Sequence, residues 1–176
     1  MNTLNYRTYQ DLSRCIRNGI KKFQHGFDLV VGIPRSGMIP AYMLGLMMNC
    51  AVCSIDEFLK NITPSNGERP LRVKSNGMIR VLIVDDSIHS GISYTKTKER
   101  VSKANLNGVE IEWLAIYARE ETKDIPDYYF EIVPCPRAFQ WNYLHSTHVQ
   151  KSCFDIDGVL CVDPCLLYTS DAADDL

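Results

Sequence analysis

An α/β fold on a mainly parallel sheet is predicted by two strand–loop–helix units and by the apolar character of their strands. In one, Val81-Leu82-Ile83-Val84 runs without a polar residue into Asp85 and Asp86, then into the small, hydroxyl-rich stretch Ser87-Ile88-His89-Ser90-Gly91. Strands buried on both faces of a parallel sheet read as such continuous runs, and ligands of open α/β sheets sit outside the carboxyl ends of the strands. In the other, Phe27-Asp28-Leu29-Val30-Val31-Gly32-Ile33 leads through Pro34-Arg35-Ser36-Gly37 to an apolar helix expected over Ala41 to Met48. The chemistry is therefore expected where these strands end, at Asp85 to Gly91 above all.

The remaining elements follow in order. Tyr9 to Lys22 is read as a helix, Val52 to Ile55 as a short strand, and Ile92 to Val101, which has no Gly or Pro, as a helix whose first N–H groups face the Asp85 to Gly91 loop and favour a phosphate. Lys60 to Gly77 is polar and carries Pro64, Gly67, Pro70 and Gly77, the pattern of a long loop or hairpin. Segments of that length inside a compact domain are often functional lids or lack fixed structure. Ile111 to Ala118 and Tyr129 to Val133 read as two further strands, and Pro136 to Leu144 is an aromatic cluster with Arg137 and Asn142 interleaved.

Two adjacent acids beside a phosphate cradle are compatible only if the ligand also carries hydroxyls or a divalent metal, and a ribose phosphate satisfies both. At Val84-Asp85-Asp86 followed by Ser90-Gly91 and Ser93, the chain resembles the phosphoribosyl-pyrophosphate (PRPP) motif of the type I phosphoribosyltransferases. Arg35-Ser36-Gly37 is similar to that family's pyrophosphate loop, where small residues admit backbone amides to the anion and an arginine can fork onto phosphate oxygens. The resemblance spans Asp28 to Ala118 and implies a mainly parallel, doubly wound α/β sheet. It implies that Asp85 and Asp86 contact the ribose hydroxyls, that His89, Ser90, Gly91, Ile92 and Ser93 wrap the 5′-phosphate, and that Arg35, Ser36 and Gly37 hold pyrophosphate. His89 departs from the family, which usually has a small residue or an aspartate there. Imidazoles exchange protons near neutral pH, so His89 joins Arg35 as a catalytic candidate, beside the alternative that it fills space or bonds phosphate.

The implied reaction moves the 5-phosphoribosyl group from PRPP to a nitrogen acceptor, expected to be a nucleobase, with release of pyrophosphate. Mg2+ is the implied cofactor, reaching Asp85 and Asp86 indirectly through the ligand it binds. The family's mobile loop falls at Lys60 to Gly77, where Arg69, Arg72 and Lys74 could close on pyrophosphate or simply be solvated. Phe139, Trp141 and Asn142 are candidates for the acceptor, with core packing the competing reading for Trp141. His145 and His148 read as surface histidines. The acceptor and the oligomeric state stay open, although dimers are common in the family and a homodimer is among the implied partners.

Composition sets bounds on the alternatives. Hydrophobic residues at 45% and charged residues at 23% are ordinary for a globular domain, and the net charge of -2 gives no electrostatic case for a nucleic-acid partner. There is no apolar run long enough to span a membrane and no signal-peptide core, so neither membrane nor nucleic acid is an expected partner and cytoplasm is the expected location. Cys50 and Cys53 form one C-x-x-C without a second ligand pair, which argues against structural zinc. They, with Cys15, Cys135, Cys153 and Cys161, are expected to be small buried hydrophobes in a reducing compartment.

The C-terminal part reads differently. Ser152-Cys153-Phe154-Asp155-Ile156-Asp157-Gly158 resembles the first motif of the haloacid-dehalogenase (HAD) superfamily, in which Asp155 would be a nucleophile and Asp157 an acid/base. Cys165 to Leu176 resembles the in-frame translation of a transposase-type sequencing adaptor; without its three aspartates the chain is near neutral. The expected organisation is a phosphoribosyltransferase domain over 1–148, the first strand of a truncated HAD-like domain over 149–164, and an adaptor artefact over 165–176. Other classes compete: a non-catalytic nucleotide sensor on the same fold, a phosphatase residing in the missing HAD-like part, and a plain interaction domain.

Overall fold

The computed structural model describes residues 3–62, 77–104 and 106–145. The chain divides after Trp141, and the first unit carries nearly all of the described fold. Its elements are β1 (Asn5–Arg7), α1 (Tyr9–Gly19), β2 (Leu29–Gly32), α2 (Met38–Met48), β3 (Ala51–Ser54), α3 (Ile55–Leu59), β4 (Ile79–Ser87), α4 (Ile92–Ser102), β5 (Val109–Ala118), β6 (Tyr128–Ile132) and β7 (Arg137–Phe139).

Five strands form one sheet in the order β3-β2-β4-β5-β6, and every neighbouring pair is parallel. The alternation of side chains along each strand splits the core into two layers. Val30, Leu82, Val84, Leu114 and Ile116 pack with Leu12 and Ile16 of α1 and Ala41 and Leu44 of α2. Leu29, Val31, Val81, Ile83, Trp113 and Ala115 pack on the other face with Ile55 and Phe58 of α3 and Tyr94 and Val101 of α4. This is the expected doubly wound α/β arrangement. The chain steps from β2 outward to β3 and then returns across β2 to β4, so the order reverses between β2 and β4. Ligands of such sheets bind in the crevice at that reversal.

Helix ends follow local chemistry. Thr8 and Asp11 form a capping box at the start of α1, as do Ser54 and Glu57 at α3, and Asn49 ends α2 with φ 57°. α2 begins at Met38 rather than Ala41, because Pro40 lies in the first turn, where its missing N–H costs nothing. Ile55, expected to close a strand, instead opens α3. A second, two-stranded parallel sheet pairs β1 with β7 in the register Asn5↔Arg137, Tyr6↔Ala138 and Arg7↔Phe139. Arg7 ties it to β6 through Glu131 at 2.6 Å.

Cys53 is buried and Cys15 and Cys50 partly so, but Cys135 is exposed, contrary to expectation, because it lies in the bend between β6 and β7. No described helix is long and apolar enough to cross a membrane. Arg69, Arg72 and Lys74, His148, and the HAD-type Asp155 and Asp157 lie outside the described residues.

Candidate active site

Two loops flank the reversal. The first, Pro34 to Gly37, leaves β2 and enters α2; its Pro34–Arg35 peptide bond is cis, and Arg35 is exposed. Ile33 N–H donates to Val84 O at 2.9 Å, which carries the β2–β4 pairing up to the loop. A Cβ on Gly37 would stand 2.5 Å from Ile33 O and 2.8 Å from Val84 O, so only glycine lets the turn lie this close to β4.

The second loop, Ile88 to Gly91, leaves β4 and enters α4. Gly91 takes φ 80°, and no side chain caps the helix that follows it. The nearest approach is Ser90 Oγ, 3.5 Å from the Ile92 N–H. The first N–H groups of any α-helix lack intrahelical partners, and together with the helix dipole they suit an anion. His89, Ser90, Ile92 and Ser93 are all exposed around this end. The structure thus places Arg35, Ser36 and Gly37 after β2 and residues His89 to Ser93 after β4, the two strands at the order reversal.

The acids are placed differently from the simplest reading. β4 does not stop before them but continues to Ser87, so they alternate across the sheet. Asp86 continues the face of Leu82 and Val84 and is only 3% exposed. Its Oδ1 accepts from Ser36 Oγ at 2.8 Å and its Oδ2 from Trp141 Nε1 at 2.6 Å. Asp85 continues the Val81 and Ile83 face, half-buried, and its Oδ1 accepts from the Asp86 N–H at 2.9 Å. Burial, reinforced by the neighbouring Asp86 charge, raises the Asp85 carboxyl well above the usual carboxylate range. Behind it, burial first and the Asp85 charge second push the Tyr94 hydroxyl up.

Two arginines outside the expected set shape the second loop. Arg137 donates to Ile88 O and lies 5.4 Å from the Phe139 ring centroid, while Arg119 Nη1 donates to His89 O at 3.4 Å. Burial lowers the Arg137 guanidinium, and the Arg119 charge works in the same direction. Arg137 stood within the aromatic cluster in the sequence, but nothing local links it to Ile88. Cys135 Sγ lies 4.0 Å from His89 Nδ1.

Of the acceptor candidates, Phe139 is buried and stacked between neighbours, with its centroid 5.2 Å from both Tyr117 and Trp141. Trp141 is only partly buried and also meets Tyr9 at 5.8 Å. Asn142 falls in the second unit. His145 ends the short 3-10 turn Gln140–His145.

A family model described as phosphoribosyl transferase domain matches residues 4–147. The chain belongs to the phosphoribosyl transferase domain family. It is a phosphoribosyltransferase that draws on PRPP. Among solved structures it is similar to a purine phosphoribosyltransferase from Pyrococcus horikoshii Ot3, at 25% identity and TM-score 0.57 over 77% of this chain and 92% of that one. The xanthine-guanine-hypoxanthine phosphoribosyltransferase of Helicobacter pylori shares the fold at 15% identity and TM-score 0.58, over 81% and 94% of the two chains. So does a hypothetical protein from Neisseria gonorrhoeae with bound ppGpp, at 15% identity and TM-score 0.55, over 86% and 95%. No curated protein matches the chain by sequence.

Proposed function

We propose that the crevice between Pro34–Gly37 and Ile88–Ser93 binds PRPP as its magnesium complex and that the acceptor is a purine base. The observation that carries the reading is the pairing, at one strand-order reversal, of an uncapped helix N-terminus with an arginine-bearing turn and a carboxylate pair. The amides and hydroxyls of His89 to Ser93 take the 5′-phosphate, Arg35 and the Ser36–Gly37 backbone take pyrophosphate, and Asp85 and Asp86 meet the ribose hydroxyls. Similarity to the Pyrococcus horikoshii purine enzyme favours a purine acceptor.

Hard cations such as Mg2+ commonly bind through one or two carboxylates plus substrate phosphates. Asp85 and Asp86 supply oxygen donors of that kind, and among the described residues no group of three or more His, Cys, Asp or Glu forms a dedicated metal cage. Asp85 and Asp86 would hold Mg2+ indirectly, through the PRPP that it binds, and the metal would offset charge on the leaving pyrophosphate. Arg35 adds fixed positive charge where that charge grows. His89, exposed at the loop, exchanges a proton with the acceptor.

A homodimer is supported by α2, which has no charged residue and exposes Tyr42 at 55%, Leu46 at 76% and Met47 at 41%. A helix apolar all round is normally covered. The thiols of Cys15, Cys53 and Cys135 support a cytoplasmic location. Asp155 and Asp157 are read as the first motif of a HAD-like segment. Isothermal calorimetry with Mg2+–PRPP tests the donor site, and a pyrophosphate-release screen over purines and pyrimidines tests the acceptor. A nucleotide sensor would bind PRPP and release no pyrophosphate with any base.

A further inference from the structure

We infer that Trp141 is a positioning residue of the donor site, acting through Asp86; the inference rests on the PRPP reading of the crevice. Three segments far apart in the chain meet at one buried carboxylate. Ser36 of the first loop donates to Oδ1 at 2.8 Å, and Trp141, just after β7, donates to Oδ2 at 2.6 Å. The backbone between the two donors is Asp86 itself, fixed in β4 and 3% exposed.

A carboxylate with a donor on each oxygen is held against rotation, so its oxygens keep one fixed direction. Such preorganisation is what a ribose site needs from its acids. The indole is itself fixed by stacking on Phe139 at 5.2 Å and Tyr117 at 6.1 Å, so the N–H is aimed by the core rather than by the ligand. In turn the Trp141–Asp86–Ser36 chain ties the turn bearing Arg35 to the β1–β7 side of the site. Removing the indole N–H leaves a buried carboxylate oxygen without that donor and frees Asp86 and Ser36 together. The damage therefore appears first in PRPP affinity, not in affinity for the base.

This differs from a stacking platform for the acceptor. A platform needs the ring and not the N–H, and its loss raises the acceptor's KM. Two variants separate the roles: Trp141→Phe, which keeps an aromatic face, and replacement of Trp141 by its benzothienyl isostere, which keeps the two-ring shape and lacks only the N–H. The isostere guards against misfolding, and both proteins are checked by circular dichroism before use.

The probes are Mg2+–PRPP alone by calorimetry and initial rates with a purine acceptor. The expected result is a rise in PRPP Kd of about 10- to 100-fold, the range for a lost hydrogen bond to a charged group, with acceptor KM within about twofold of wild type. A PRPP Kd within about twofold of wild type in the folded isostere, or a loss confined to acceptor KM, overturns the proposal. Wild-type protein that binds no PRPP overturns the donor-site reading and this proposal with it, so the two failures are told apart by the wild-type titration.

Discussion

Asp85 and Asp86 are neighbours in sequence, but their side chains leave β4 on opposite faces, Asp86 toward Ser36 and Trp141 and Asp85 toward the α4 side. One is an acid satisfied by two donors; the other is pushed toward its neutral form by burial and by its partner's charge. Their replacement should therefore have unlike consequences.

For Asp85, the folded-state pKa lies above the unfolded value near 3.8, so the native state holds its proton more tightly. The resulting stabilisation is complete below the unfolded value and is lost as pH rises through the raised folded value. Asp85→Asn should thus raise Tm at neutral pH, by about 2–4 °C for each kcal/mol relieved in a domain of this size, while weakening PRPP. The gain should vanish in acid below the unfolded value. Thermal melts at several pH values, paired with PRPP calorimetry, check both halves.

Asp86→Asn should behave in the opposite way. It exchanges a charge that accepts from Ser36 and Trp141 for an amide that can accept on only one side, so both stability and PRPP binding should fall. Breaking a buried charged hydrogen bond costs about 1.5–3 kcal/mol, which urea denaturation would resolve. A strand-end acid in solvent would have given no loss of stability.

The loop and its arginine offer a ligand comparison. Arg35→Ala should weaken PRPP by about tenfold or more, as for a lost charge-assisted contact, and ribose 5-phosphate much less, because the latter lacks pyrophosphate. Equal losses for the two ligands would remove Arg35 from the leaving group. Gly37→Ala should act by geometry alone, since its Cβ meets backbone oxygens at 2.5 and 2.8 Å. It should lower Tm as well as PRPP affinity.

What the sequence made legible was local. The apolar runs of β2 and β4, the small residues of both loops and the helix after Gly91 are contiguous signals, and each lies where the pattern placed it. The clamp on Asp86 was not legible, because its donors are 50 and 55 residues away and neither Ser36 nor Trp141 carries a pattern pointing to β4. Likewise β1 and β7 are three residues each, too short for any periodicity, and pair only because the chain ends of the domain meet. Arg119 and Arg137 reach the Ile88–His89 turn through backbone carbonyls, an interaction available to any arginine and so invisible in residue type.

His89 separates chemistry from binding. His89→Ala should lower turnover by roughly 10²-fold with PRPP affinity little changed, the scale of a lost acid/base group. Unchanged turnover in the variant would leave the imidazole a structural part of the loop.

The exposed α2 face can be tested without ligand. Leu46→Glu places a charge at a position 76% exposed, so a monomer should tolerate it with little change in Tm. In a homodimer joined through α2, sedimentation should show the wild type at twice the mass of the variant.

The central claim, transfer of a phosphoribosyl group at the β2–β4 crevice, is tested most directly by pyrophosphate release from Mg2+–PRPP with each purine base in turn, using the protein without its Cys165 to Leu176 tail. The account predicts release that requires both PRPP and a purine and that Asp85→Asn abolishes. PRPP binding with no release for any purine or pyrimidine, or release indifferent to Asp85→Asn, would contradict it.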